Sequence, residues 1–282
     1  MIDSRPPLSQ SSRRGVTLLE LAIVIVILGL LLGGGWKVLS AMLETRASTT
    51  TDRTLKRVES ALLLYAARHA HLPCPAAFGG NGEADCGVRL VDGSALVGAV
   101  PWRTLGLPGS KRRDGRGNTI TYAVSASLTA DPDADGDTTR LVRDGASPGV
   151  PGKTLDHVVT NTGLTVRNRA GGDAVSDAVA FVLVAHGRNG HGAWHDGGFN
   201  APPPDFAANR PGEARNRPRD DRAAWVERPP ADTFDDSVRW LSAEAVASRA
   251  DLVRLTLCRR QSAADRCQAL GCRWTGVRCL KP

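Results

Sequence analysis

The sequence predicts an α+β protein. A long N-terminal helix, transmembrane in its first half, packs on an antiparallel β-sheet head that carries a disordered Pro/Arg-rich insertion and a disulfide-stapled C-terminal tail. Three observations predict this. An apolar run from Val16 continues into a helical pattern that stops at Pro73-Cys74-Pro75. Short β-like runs separated by Gly, Pro, Asp and Asn turns follow it. Six cysteines fall into two even clusters. At 282 residues, 41% hydrophobic and 23% charged, the chain can bury one good core, and 30 Gly with 17 Pro indicate a loop-rich body.

Residues 1–15 are polar and close on Arg13-Arg14-Gly15. Val16 to Leu32 is apolar except for Thr17, Glu20 and Gly29, and Gly33 to Leu39 extends the run to the length of a membrane span, about 16–39. Arginines before the run, with few charges just after it, put the N-terminus in the cytoplasm. Glu20 is the informative residue, because a carboxylate inside a span costs about 2.5–3.5 kcal/mol. A cut after Gly15 would free the α-amino group of Val16 one helical turn from Glu20, in the same chain or in a neighbour. An amine paired with a carboxylate in hydrocarbon costs far less than either alone, so Glu20 becomes a register device for packing helices side by side.

Arg13-Arg14-Gly15, then Val16-Thr17-Leu18-Leu19-Glu20, then the apolar helix, resemble the type IV prepilin and type II secretion pseudopilin family. The resemblance implies cleavage after Gly15 by a prepilin peptidase, N-methylation of Val16, and an assembly role for Glu20. It also implies the partners: other pilin or pseudopilin subunits through the N-terminal helix, the inner-membrane assembly machinery and the lipid bilayer. The protein would be single-pass in the inner membrane with its head in the periplasm, and would then enter a pilus or pseudopilus. Val16 stands where the family most often has phenylalanine. A secretory signal cut near Ser40-Ala41 fits poorly with a glutamate at the start of the apolar core, and a simple anchor leaves Glu20 unexplained.

The expected organisation is a leader at 1–15, a helix at 16–71, a head at 72–195, an insertion at 196–236, and a C-terminal helix with a Cys-rich tail at 237–282. On the helix, Leu55, Val58, Leu62 and Tyr65 recur at helical spacing, and Ala61 and His69 extend that face. Strands are expected at Val88–Val91, Ala95–Val100, Thr119–Val124, Leu141–Arg143, His157–Thr160, Leu164–Val166 and Ala178–Ala185, the last in the middle of a sheet. Prolines among Arg, Asp and Asn make 196–232 extended or disordered. Val238 to Leu257 reads as a helix. Trp102 is expected to anchor the core.

Leu72-Pro73-Cys74-Pro75, Val100-Pro101-Trp102 to Leu107, Gly117-Asn118 into Tyr122, His186-Gly187-Arg188-Asn189-Gly190, and Asp235-Asp236 before Trp240 resemble the heads of a further group of bacterial pilin-like proteins. Where that group carries an aromatic before Gly117, this chain has Arg116.

Cys74 with Cys86, and Cys258, Cys267, Cys272 and Cys279 together, read as disulfides formed in an oxidising compartment. The last four allow three connectivities. Asp131, Asp133 and Asp135 with Gly136 have the first half of a calcium loop, but Val142 stands where the bidentate glutamate belongs. Ser147 to Thr154 ends like a phosphate loop, yet Pro148 and Pro151 remove amides that phosphates need. His186, His191 and His195, with Asp196, are the remaining metal or base candidates, and their spacing fits no metalloprotease signature. From Arg249 to Pro282 eight Lys/Arg against two Asp give +6 of the chain's +7, without any nucleic-acid motif, so nucleic acid is not an expected partner. No catalytic residue is assigned, no enzyme activity is expected, and calcium is the one cofactor considered. The competing function is a membrane-anchored periplasmic binding protein, an adhesin or DNA receptor, or a metal-dependent enzyme at the histidine loop.

Overall fold

Helix α1 runs without interruption over Leu18–His69, two residues inside each end of the expected 16–71. The computed structural model describes residues 17–69, 71–87, 90–91, 94–129, 162–195, 197–218, 224–269, 272–275 and 278–280, by backbone alone at 30–38, 90–91, 254–255, 266, 269 and 280. The chain divides into two compact units, Met1–Arg46 and Ala47–Pro282, and α1 contributes to both.

The second unit is built on a five-stranded antiparallel sheet. Its strands are β1 (Leu90–Val91), β2 (Ala95–Ala99), β3 (Thr121–Ser125), β6 (Val179–Ala185) and β10 (Ser237–Ser242), side by side in that order. Alternate side chains of β2, β3, β6 and β10 enter two cores. Leu96, Tyr122, Val124, Phe181 and Leu183 pack with Leu55, Val58, Leu62, Leu63, Ala66 and Ala67 of α1, and with Ala243, Val246, Ala247 and Ala250 of helix α4 (Ala243–Arg259). Helix α1 turns a stripe at spacings of three and four residues toward the sheet. Of the face expected there, Tyr65 and Ala61 are half-buried and His69 is exposed.

Ala95, Val97, Ala123, Val182 and Val184 form the second core with Leu164, Val166 and Trp225. This side is covered by a small sheet of β4 (Thr165–Arg167), β5 (Ala174–Ser176) and β9 (Ala224–Val226), in which β4 and β9 run parallel. Because β6 is covered on both faces, all seven of its residues are buried, which is why it reads as a continuous apolar run. The hairpin β7 (Trp194–His195) and β8 (Gly198–Phe199) follows it.

Three expectations are corrected here. Residues 197–218 and 224–236 are not a disordered insertion. They carry β8, the short helices α2 (Phe206–Asn209) and α3 (Pro211–Arg215), and β9, and they bury Phe206, Trp225, Val226 and Phe234. Four large apolar side chains among many polar ones suffice for a segment that docks on an existing core. Ser237–Ser242 is strand, not helix, because pairing with β6 outweighs local helical spacing. The helix begins at Ala243, where the Ser242 hydroxyl accepts the Ala245 N–H. Trp102 is half-buried at the edge of the first core, its indole against Gly82 and under the Arg103 guanidinium. The largest fully buried side chains are Trp225, Tyr122, Phe181 and Phe234. The expected strands at 141–143 and 157–160 lie outside the described residues.

Three disulfides close the loops. Cys74 joins Cys86, with Cα atoms 5.1 Å apart. In the tail Cys258 joins Cys272 and Cys267 joins Cys279, an interleaved pairing that ties α4 to the start of the hairpin of β11 (Arg273–Trp274) and β12 (Cys279–Leu280), and helix α5 (Ala264–Ala269) to β12. Such cross-links stabilise mainly by restricting the unfolded chain.

Candidate functional site

The first turn of α1 is capped by Thr17. Its Oγ1 accepts the Glu20 N–H at 3.2 Å, and its carbonyl accepts the Leu21 N–H at 3.1 Å. Glu20 therefore sits at the third helical position, where a carboxylate is favoured by the helix dipole. Around it the helix is apolar on every side. Leu18 is 88% exposed and Ile25 60%, and Leu19, Leu21, Ile23, Val24, Val26, Ile27 and Leu28 are also exposed. A helix apolar all round has its surface completed by something other than water. Among the described residues no helix is long and apolar enough to cross a membrane. Within the expected span 16–39, residue 16 and the side chains of 30–38 lie outside the described residues.

A second polar constellation lies at one end of the five-stranded sheet, where β3 begins, β6 ends and β10 begins. Gly187 takes a φ of 53° against Asp235, which no side chain there would allow. This bend turns the Arg188 and Asn189 N–H groups onto Asp235 Oδ2, at 3.0 and 3.1 Å. Asn189 Nδ2 donates to Asp235 Oδ1 and to Glu213 Oε2, both at 2.9 Å. Glu213 Oε1 accepts the Asp235 N–H at 2.7 Å and Arg210 Nη1 at 2.8 Å. Asp236 Oδ2 accepts Asn216 Nδ2 at 3.1 Å, while Asn216 clamps both backbone groups of Val226. One carboxylate oxygen from each of Glu213, Asp235 and Asp236 lies within 4.8 Å of the others. Burial raises the pKa of Glu213, and burial together with the Glu213 charge raises that of Asp236 well above the usual carboxylate range.

The histidine loop does not form a site. His186 is fully buried with Nε2 2.8 Å from Thr121 Oγ1, and burial with the nearby Arg217 charge lowers its pKa to about 3, so the ring is neutral. His191 stacks edge-on against Phe206, and His195 is exposed on β7. Among the described residues the three do not converge on a common point. Asp196, the calcium-loop residues Asp131, Asp133 and Asp135, and the phosphate-loop-like 147–154 lie outside the described residues. In the basic tail Arg259, Arg260, Arg273 and Arg278 are exposed.

Residues 10–36 match the family model of the prokaryotic N-terminal methylation motif. This is the type IV prepilin-like signature. No curated protein and no solved structure matches the chain. The signature supports a pilin- or pseudopilin-like protein in general terms, with processing by a prepilin peptidase and assembly with other such subunits. Of the prepilin-like residues, Gly15 and Val16 lie outside the described residues, and Glu20 is the exposed residue on the first turn of α1.

In the head, the scattered patches of pilin-like resemblance meet in space. Asn118 Nδ2 donates to the Gly187 carbonyl at 3.0 Å, the Tyr122 hydroxyl donates to the Pro73 carbonyl at 3.1 Å, and Asp235 holds the Arg188-Asn189 turn. Sequence reasoning missed Glu213 and Asn216, which sit in the segment read as disordered. Their one visible signal is polar residues flanking Pro211 and Pro218 in a stretch that also carries Phe206 and Trp225.

Proposed function

We propose that the protein is a minor pilin or pseudopilin-like structural subunit. It is cleaved after Gly15, N-methylated at Val16, held in the inner membrane by the apolar start of α1, and assembled into a type IV pilus or type II secretion pseudopilus. The observation that carries this reading is Glu20 on the first turn of an otherwise apolar, outward-facing helix, inside the stretch that matches the methylation motif. Thr17 fixes where that helix starts, so the new N-terminus at Val16 precedes the cap by one residue. The amine of one subunit can then meet the Glu20 carboxylate of the next, and a mismatched register leaves both charges unpaired in an apolar setting.

The head takes no part in this pairing and is free to differ among subunits. Its interleaved disulfides suit an oxidising periplasm. The test is intact mass and N-terminal sequence of the protein taken from its native membrane. A chain beginning at N-methylated Val16 is the expected result. A start at Met1 or near Ala41 overturns the reading.

A further inference from the structure

We propose that Glu213, Asp235 and Asp236 hold a calcium ion that fastens the Pro/Arg-rich segment to the end of the central sheet. The three carboxylates come from α3 and from the two residues that precede β10, and their closest oxygens lie within 4.8 Å of one another. Oxygens that close can share one ion at about 2.3–2.6 Å each, which is calcium's range, and an all-oxygen donor set suits a hard cation.

The second observation is Asp236 itself. It is 3% exposed, and among the described residues its Oδ1 finds no hydrogen-bond donor. Buried carboxylate oxygens are ordinarily satisfied, and one left bare calls for a donor or a cation. The rest of the constellation shows what coordination remains. Glu213 Oε1 and Asp235 Oδ2 each already accept two donors. Glu213 Oε2, Asp235 Oδ1 and Asp236 Oδ2 each accept one, so every residue keeps an oxygen able to bind metal. The charge points the same way, since among the described residues Arg210 is the cation that forms an ion pair within this group, on Glu213.

This inference stands on the head alone and is independent of processing at Gly15, which the mass measurement reads separately. The full chain in detergent is stripped with chelator and titrated with calcium chloride, following binding heat and the thermal midpoint. One ion per chain should bind. At calcium a hundred times its dissociation constant the midpoint should rise by about 5–10 °C. Asp236→Asn, which keeps the shape and replaces one carboxylate oxygen by an amide nitrogen that cannot bind a cation, should fold and lose both responses. Four results would overturn the proposal: no binding in the unaltered chain, undiminished binding in Asp236→Asn, an equal response to magnesium, or loss of binding on replacing Asp131, Asp133 and Asp135 by Asn.

Discussion

Between Leu18 and Leu28 helix α1 exposes its apolar side chains, Ile25 by 60%, whereas Leu55, Val58 and Leu62 further along are buried to 3% or less. The later stretch has polar residues between its apolar ones, and its apolar stripe is matched by Tyr122, Phe181 and Leu183 on the sheet. The earlier stretch has no polar face to turn toward water. The difference separates two tasks given to one helix. The later half packs into the core of the head, while the early part exposes apolar side chains whose burial would contribute on the order of 1.5–3 kcal/mol each.

The sharpest way to break this contrast is to cut the same kind of side chain in both places. Leu62→Ala should destabilise the head by about 2–5 kcal/mol, because the site is closed on all sides and can relax only partly. Ile25→Ala should leave head stability within about 0.5 kcal/mol. Denaturant unfolding of the purified chain in detergent measures both. A comparable loss in Ile25→Ala would mean that the early stretch is part of the folded core.

How much of this was legible in the sequence depended on how local each determinant is. The helix, its end before Pro73, and strands β2, β3 and β6 follow from patterns within a dozen residues. The burial of β6 on both faces could be read from its uninterrupted apolar composition. Ser237–Ser242 could not, since its partner β6 lies more than fifty residues earlier and Val238, Trp240 and Leu241 fit a helical stripe as well as a strand. The carboxylate constellation is still less local. Asn189 reaches Glu213 across 24 residues and Asp235 across 46. Composition alone gave 196–232 as polar and Pro-rich, which is true, but Asn216 and Trp225 work only once the sheet exists to receive them. The prepilin-like motif is the opposite case, because its residues are contiguous.

A second contrast sets His186 against the exposed His195 on β7. His186 stays neutral in the fold down to about pH 3, while an unfolded histidine takes a proton near 6.5. Between those values the unfolded chain binds more protons, so the histidine's share of stability is full above about pH 6.5 and is lost as pH falls. The expected loss is about 3 kcal/mol between pH 7 and 4.5. Glu213 and Asp236, whose pKa values are raised, act with the opposite sign, losing stability as pH rises. The readout is therefore the difference between the unaltered chain and His186→Gln. The variant should have an acid slope shallower by about one proton, and equal slopes would sink the assignment.

The smallest effect concerns two charged residues one turn apart on α1. Glu59 is buried and accepts from Arg239 Nε and, at 2.9 Å, from Arg249 Nη1, joining α1 to β10 and α4. Lys56 faces outward, 2.7 Å from Asp52, with both side chains at least half exposed. Glu59→Gln should cost about 1–2 kcal/mol, held to that level because Arg239 and Arg249 can turn partly to water. Lys56→Ala should cost about 0.5 kcal/mol or less, and that small loss should vanish in about 1 M salt, where screening acts within about 3 Å. Unfolding at low and high salt separates the two. A Glu59 effect erased by salt would show that its ion pairs are surface decoration and that the apolar stripe alone seats the helix on the sheet.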